Sequence, residues 1–369
     1  VTRHEGNDLL PPGAPRTAKG GPYQMFTPFW RALQKGCAEQ APLATPLPLP
    51  MALTRAFSCS IPAPRPLPPS DMLLDWRLLE GLGGHAEALG KHWTPGEAPA
   101  QEALRRFLAE GLSHYTATRD RPALAGTSRL SPHLAWGELS PQRLWQTLRA
   151  VAVETPALSV GSAAFLRQLG WRAFARNMLH HFPDLTTQPM RPEYTAFPWR
   201  DDADALEIWR QGQTGYPWVD AGRRELRATG FMHNRVKLAV ASFLTKHLLV
   251  PWQWGEAWFW EAQVDADPAS NALKWQWVAG CGADAAPYFR IFSPLLQGRR
   301  YDPQGAYIRR WVPELATLPD AALHAPWQAP AGLLRTAGVR LGTDYPYPMV
   351  DHGIARIRAL ASHRAMNEA

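Results

Sequence analysis

Nine prolines crowd one short stretch of this chain: Pro42, Pro46, Pro48, Pro50, Pro62, Pro64, Pro66, Pro68 and Pro69. Proline has no backbone N–H to donate and drives the residue before it out of the helical region, so this stretch can be neither a helix nor a central strand. It reads as an extended, semi-rigid connector over the surface, within an interdomain segment at residues 42–97. A ligand for a proline-binding module is the weaker reading. Residues 1–41 lie ahead of it, with a Gly/Pro-rich loop that runs into a short helix over PYQMFTPFWRALQKG.

From about residue 98 to residue 369 the texture is helical. Leu104, Phe107, Leu108 and Leu112 recur at helical spacing. Ser131-Pro132 and Ser140-Pro141 each pair a capping residue with proline at a first helical position. SAAFLRQLGWRAFARNMLHHF, HNRVKLAVASFLTKHLL and GEAWFWEAQV are further helices, and alternating strand patterns are scarce. The fold expected is mainly α, with no internal repeat.

Composition narrows the function. Charged residues are 19% and hydrophobic residues 46%, which excludes disorder as a description of the whole chain. No apolar run reaches the ~18–20 residues that span a bilayer. Cys37, Cys59 and Cys281 lie far apart with no CxxC pair, which argues against a disulfide framework, a zinc cluster or an iron–sulfur cluster. A reducing, cytoplasmic compartment and no metal are expected. Residue 1 is Val, with no signal-peptide pattern behind it, and the expectation is a piece of a chain that starts upstream. The formal net charge of +7 suits a polyanionic partner. Tryptophan stands out at 17 residues, nine of them between Trp199 and Trp277. A Trp-rich helical core would account for this. So would a use for the indole itself, which is flat, carries an N–H and is easily oxidised.

Three constellations could carry chemistry. Gly126-Thr127-Ser128-Arg129-Leu130-Ser131-Pro132 gathers hydroxyls where a helix begins, with Arg119 near in sequence, and such a start can hold a phosphate. Most Ser-Pro helix starts are only caps. Asp267, Asn271 and Trp275 follow one another at i, i+4 and i+8, which stacks a carboxylate, an amide and an indole along a helix face. That line suits the edge of a polar heteroaromatic ligand, against the plainer alternative of a cap, a surface amide and a core Trp. Finally, Asn234, Arg235 and Lys237 follow the Arg223, Arg224, Arg227 segment and form either a solvated face or a phosphate-binding edge.

Taken together, WGELSP, TGYPWVDAGRRELRATGFMHNRVKLAVASFL and DADPASNALKWQWVAGCGADAAPYFRIFSP resemble the flavin domain of the DNA photolyase/cryptochrome family. The resemblance runs from about residue 98 to VDHGIARIRAL, and residues 1–36 resemble the last strand and helix of the family's Rossmann-like α/β antenna domain. It implies an all-helical FAD-binding domain over 98–369, preceded by an antenna remnant at 1–41, whose chromophore the sequence leaves unknown. The activity implied is that of a deoxyribodipyrimidine photo-lyase, most like a bacterial cyclobutane-dimer enzyme. Light-excited, reduced FAD gives an electron to a flipped pyrimidine dimer in damaged DNA, which splits. A monomer is expected.

Residue by residue, Tyr115, Arg119, Thr127, Ser128, Leu130 and Ser131 match positions at the FAD phosphates and ribityl chain. Phe165, Gln168 and Arg172 match flavin-side positions on the next helix. Asn234, Lys237, Asp265, Asp267 and Asn271 match residues around the ring. Asn271 sits at the position facing flavin N5, where photolyases usually have Asn, plant cryptochromes Asp and animal ones Cys. Trp275, Trp252 and Trp199 match the family's electron-transfer chain. Trp171 and Trp277 match walls of the lesion pocket, where stacking and desolvation favour indoles. Arg235 and Arg290 match cations near DNA phosphates. Two departures stand out. Gln168 replaces the Glu common in cyclobutane-dimer enzymes, and Lys237 replaces an Arg, a point charge for a bidentate fork. The (6-4) enzymes share Gln at that position but use a pair of active-site His; here His233 matches the first and Leu238 occupies the second. A cryptochrome-like photoreceptor without repair activity is the main alternative, ahead of a (6-4) photolyase. A cofactor-free basic helical protein comes last.

Overall fold

A computed structural model describes residues 6–39, 84–286 and 288–368. The proline-rich stretch lies outside them, as does most of the segment assigned to an interdomain connector.

Capping residues and prolines set many of the helix starts. In order, the helices that build the site are α1 (Phe26–Glu39), α2 (Glu97–Arg106), α3 (Pro141–Glu154), α4 (Ser159–His181), α5 (Ala203–Gln211), α6 (Pro217–Thr229), α7 (Asn234–Ser242), α8 (Trp252–Ala262), α9 (Pro268–Ala279) and α10 (His352–Glu368). At α3, Ser140 Oγ accepts from Arg143 N at 3.4 Å, and Pro141 follows it at the first helical position. At α9, Asp267 Oδ1 accepts from Ser270 N at 2.7 Å with Pro268 next. A side-chain oxygen satisfies an otherwise orphaned N–H in both places.

The helix at Ser131–Ala135 starts differently from the sequence expectation. Leu130 is its N-cap, and no side chain caps it. The hydroxyl of Ser131 acts on the Asp265 carboxylate instead, helping to hold it ionised. A buried carboxylate has a stronger need for a donor than a helix end that can meet water.

Among the described residues there is no β-strand, only isolated bridges at Arg16–Pro22 and Leu341–Tyr345. The strand expected ahead of α1 therefore does not form within residues 6–39, where a local turn takes the backbone groups: Thr17 N donates to Gly21 O and Gly20 N to Thr17 O. The helix expected there does form. It packs as part of the helical core, with Phe26 and Phe29 both against Phe174 of α4.

The apolar side chains divide into two clusters. One is built from residues 9–185 together with the start of α9 and Ala283; the other is built from residues 194–366. Helix α9 belongs to both: Ala269, Ala272 and Leu273 enter the first, and Trp275, Val278 and Ala279 the second. A helix buried on both flanks can offer polar side chains only to the space between the clusters, and Asp267, Asn271 and Lys274 lie on that remaining line.

Candidate functional site

The loop ahead of Ser131 is held by close packing. A Cβ at Gly126 would stand 2.4 Å from Thr118 O, so only glycine fits. Arg129 takes φ of 54° and lays its guanidinium over Trp93 at 4.3 Å and Phe231 at 5.1 Å. It does not add a charge to the phosphate-type cradle the sequence suggests. Arg119 remains beside it, over the Tyr115 ring at 5.2 Å and 3.7 Å from Asp120. Thr127, Ser128 and Ser131 keep part of their surface open, while Leu130 is fully buried beneath them.

The opposite wall is α4. Phe165 is buried and packs edge-on against Tyr115 at 5.5 Å. Gln168 is half-buried, its Nε2 donating at 3.3 Å to Ala164 O of its own helix. The Arg172 guanidinium donates to Asn7 O and Oδ1 and to Leu134 O. Arg176 binds Asp8 and reaches Asp267 Oδ2 at 3.4 Å. The segment before α1 thus locks the basic side of α4, which nothing in the sequence pattern announced.

Helix α7 and the loop into α9 supply the charged centre. Lys237 Nζ donates to Gln263 Oε1 at 2.9 Å and stands 3.5 Å from Asp265 Oδ1. That oxygen is buried and makes no hydrogen bond. Burial would raise the Asp265 carboxyl, but Lys237 and the Ser131 hydroxyl hold it below the usual carboxylate range. Asn234 is exposed at the start of α7. His233, just before it, is not an open active-site imidazole. It is 4% exposed, caps α7 by accepting from Arg235 N at 3.2 Å, and its Nε2 donates to Arg119 O at 2.9 Å.

On α9, Asn271 is 8% exposed and its Nδ2 donates twice to Glu256 of α8, to the backbone oxygen at 2.9 Å and to Oε1 at 2.8 Å. Both N–H bonds point to α8, which leaves Oδ1 as the free acceptor. Glu256 escaped sequence reasoning, since no spacing links it to a residue on another helix. Lys274 escaped too, although its position seven residues after Asp267 puts both on one face. It is exposed, yet burial is the main cause that brings its ammonium down to about 8, helped by Lys237 and opposed by Asp265 and Asp267. Its open surface lies on the same face of α9 as Asp267 and Asn271. Together these residues offer hydroxyls, an amide oxygen, an unmet carboxylate oxygen and two ammonium groups, a donor set that fits a ligand carrying anionic groups and an imide-like N–H.

The indoles lie below. Trp275 is 2% exposed, with Phe259 at 5.0 Å and Trp209 at 6.3 Å between ring centroids. Trp252 is buried in the same cluster, and Trp199 packs on its edge, 4.3 Å from Phe197. The Arg223, Arg224, Arg227 segment ahead of α7 adds little open charge to it. Arg223 is fully buried, its guanidinium 3.9 Å over Trp209 and 3.4 Å over Trp258, and Arg224 pairs with Glu314 at 2.7 Å. Only Arg227 remains exposed there.

Trp171 and Trp277 are brought toward one another by a short bridge. Trp171 stacks on Phe26 at 3.7 Å and 6°. Phe26 N donates to Asp284 Oδ1 at 3.1 Å, and Trp277 Nε1 donates to Asp284 O at 2.8 Å. Arg290 lies over Phe292 at 4.8 Å, in a groove of about 410 Å³ that also includes His352 and Arg356. Arg235 is paired with Asp120 at 2.6 Å, so its charge is partly neutralised. Among the described residues no group of three His, Cys, Asp or Glu side chains could hold a metal, and no helix is long and apolar enough to cross a membrane.

A family model for the FAD binding domain of DNA photolyase matches residues 165–365. The chain is 45% identical to a deoxyribodipyrimidine photo-lyase from Agrobacterium fabrum, over 100% of this chain and 74% of that protein. It is 36% identical to cryptochrome-2 from Arabidopsis thaliana, over 96% of this chain and 58% of that one. A crystal structure of a bacterial class III photolyase from Agrobacterium tumefaciens superposes with a TM-score of 0.88 at 45% identity, covering 99% of this chain and 73% of the other.

Proposed function

Because the chain belongs to the DNA photolyase and cryptochrome family, we propose that it binds FAD between α4, α7 and α9 and repairs cyclobutane pyrimidine dimers in DNA under light. When bound, reduced FAD supplies the electron that splits a dimer.

The observation that carries this reading is the orientation of Asn271. With both amide N–H bonds committed to Glu256, Oδ1 is offered to the space between the clusters as a neutral acceptor. It would accept the N5–H of a reduced flavin without supplying a proton or a charge. Asp265 Oδ1, buried and unbonded, would accept the ring imide N–H, with Lys237 holding that carboxylate ionised. Asp267, Arg172 and Arg176 would fix this wall, Phe165 and Tyr115 would exclude water, and Arg119, Asn234, Thr127, Ser128 and Ser131 would serve the phosphates and ribityl chain.

Trp275, Trp252 and Trp199 would carry electrons inward to restore the reduced state. Trp171 and Trp277 would wall the flipped dimer, Gln168 would hydrogen-bond it, and Arg290 would meet a DNA phosphate. The +7 charge supports a duplex partner. The same reading takes the protein as a cytoplasmic monomer without a metal, with its antenna chromophore open.

Gln168 and the likeness to a plant cryptochrome favour a second reading, a photoreceptor without repair. Anaerobic photoreduction followed by assays on thymine-dimer and (6-4) oligonucleotides separates the two. Light-dependent loss of the thymine dimer alone is expected. Photoreduction with neither lesion repaired supports the photoreceptor, and repair of the (6-4) lesion alone contradicts both.

A further inference from the structure

Resting on the flavin reading above, we propose that Lys274 is a further positioning residue of the cofactor site, an ammonium that holds the reduced, anionic form of the flavin in preference to the oxidised form. Helix α9 packs against α4, α7 and α8, and between Ala269 and Ala279 Lys274 is its one exposed residue. Its neighbours on the same face are Asp267 and Asn271, so the open surface at Lys274 belongs to the same hollow as the amide oxygen of Asn271.

The other charges around it are already engaged: in the turn after α7 that also packs against α9, Lys246 donates to Ala279 O. On α4, Arg176 pairs with Asp8 and Asp267, and Arg172 is held by Asn7 and Leu134. On α7, Lys237 pairs with Asp265 from the loop before α9. On α8, Glu256 is bonded to Asn271, and burial raises its carboxyl above the usual range. Asp184, in the turn packed against α9, is exposed to solvent. Lys274 makes no hydrogen bond or ion pair with the described residues, and the carboxylates that act on it, Asp265 and Asp267, are already shared with Lys237 and Arg176. A cation removed from water and left without a partner costs free energy until an anion arrives. The phosphates of FAD are anionic in both redox states, but at the ring beside Asn271 the oxidised isoalloxazine is neutral and the two-electron-reduced form is an anion, so there only reduction supplies that partner. By reciprocity, reduction of the flavin and protonation of Lys274 favour each other equally.

The test is the midpoint potential of the bound flavin from pH 6 to 10 for the wild type, Lys274→Met and Lys274→Arg, with FAD affinity measured alongside. At pH 6.5, Lys274→Met should bind oxidised FAD much as the wild type does but lose about tenfold in its preference for the reduced form, which for a two-electron couple is a drop of about 30 mV. The gap should narrow as the pH passes 8 and the wild-type ammonium deprotonates, whereas Lys274→Arg should keep the higher potential to pH 10. Superimposable curves for wild type and Lys274→Met overturn the proposal. If the Met variant does not hold flavin, the Arg comparison decides: curves for Arg and wild type that coincide through pH 10 overturn it equally. A wild type that binds no FAD contradicts the flavin reading, which is a different failure.

Discussion

Gly255→Ala should disturb Trp275 more than any distant change in α8. A Cβ at residue 255 would stand 2.2 Å from Trp275 Cη2 and 2.6 Å from Cζ3, with Leu244 Cδ2 at 2.7 Å. Carbon atoms rest at about 3.5–4.0 Å, so the overlap exceeds 1 Å. Leu244 can turn its methyl aside. The indole cannot move easily, being 2% exposed and fixed by Phe259 and Trp209. Overpacking of this kind costs about 1–3 kcal/mol, which lowers Tm by a few degrees in a protein of this size. The overlapping atoms belong to the outer ring of the indole, which Phe lacks. In a Trp275→Phe background the same Gly255→Ala change should therefore cost under about 1 kcal/mol, a coupling well outside additivity. Denaturant melts of the four proteins measure it. Equal costs of Gly255→Ala in both backgrounds would show that the glycine is not there to admit the indole.

Trp275→Phe alone should slow photoreduction of oxidised flavin while leaving repair by pre-reduced protein largely intact, read by absorbance under blue light and by dimer repair; equal loss of both contradicts the hopping role. Gln168→Glu should raise the quantum yield of dimer repair, and an unchanged yield would show that the position does not limit it. Acid should destabilise the fold through two histidines. Burial lowers His233 to about 4 and His247 to about 3 from an ordinary 6.5. The unfolded chain therefore binds more protons from pH 6.5 down to about 4, so stability is lost as the pH falls through that window. Tm against pH should show this slope, flattened in His233→Gln; an unchanged slope in that variant assigns the effect elsewhere. Asp267→Ala should remove the cap of α9 and cost about 1 kcal/mol, with loss of flavin affinity beyond that seen for Ser140→Ala at α3.

Much of this was legible in the chain, for physical reasons. Asp267-Pro268 and Ser140-Pro141 made their helix starts because the cap, the fixed φ of proline and the apolar period agreed. Ser131-Pro132 misled because a hydroxyl cannot announce that a buried Asp265 lies in another loop to compete for it. The line of Asp267, Asn271 and Trp275 is not straight: at i+8 the helix has turned about 80° and Trp275 meets Gly255 and Phe259 of α8, while Lys274, at i+7, stays within about 20° of Asp267. The surroundings of Arg223 were not legible, because local sequence does not show the indoles of α5 and α8 that enclose it. Glu256 was invisible for the same reason, being a neighbour only across a helix interface.

The account stands on a hollow that holds a flavin beside Asn271 and above Trp275. Titration of the purified, flavin-stripped chain with FAD, read by flavin absorbance and by quenching of tryptophan emission, tests it most directly. One FAD per chain is expected, with strong quenching that weakens in Trp275→Phe. A chain that takes up no FAD, or takes it up with tryptophan emission untouched, contradicts it.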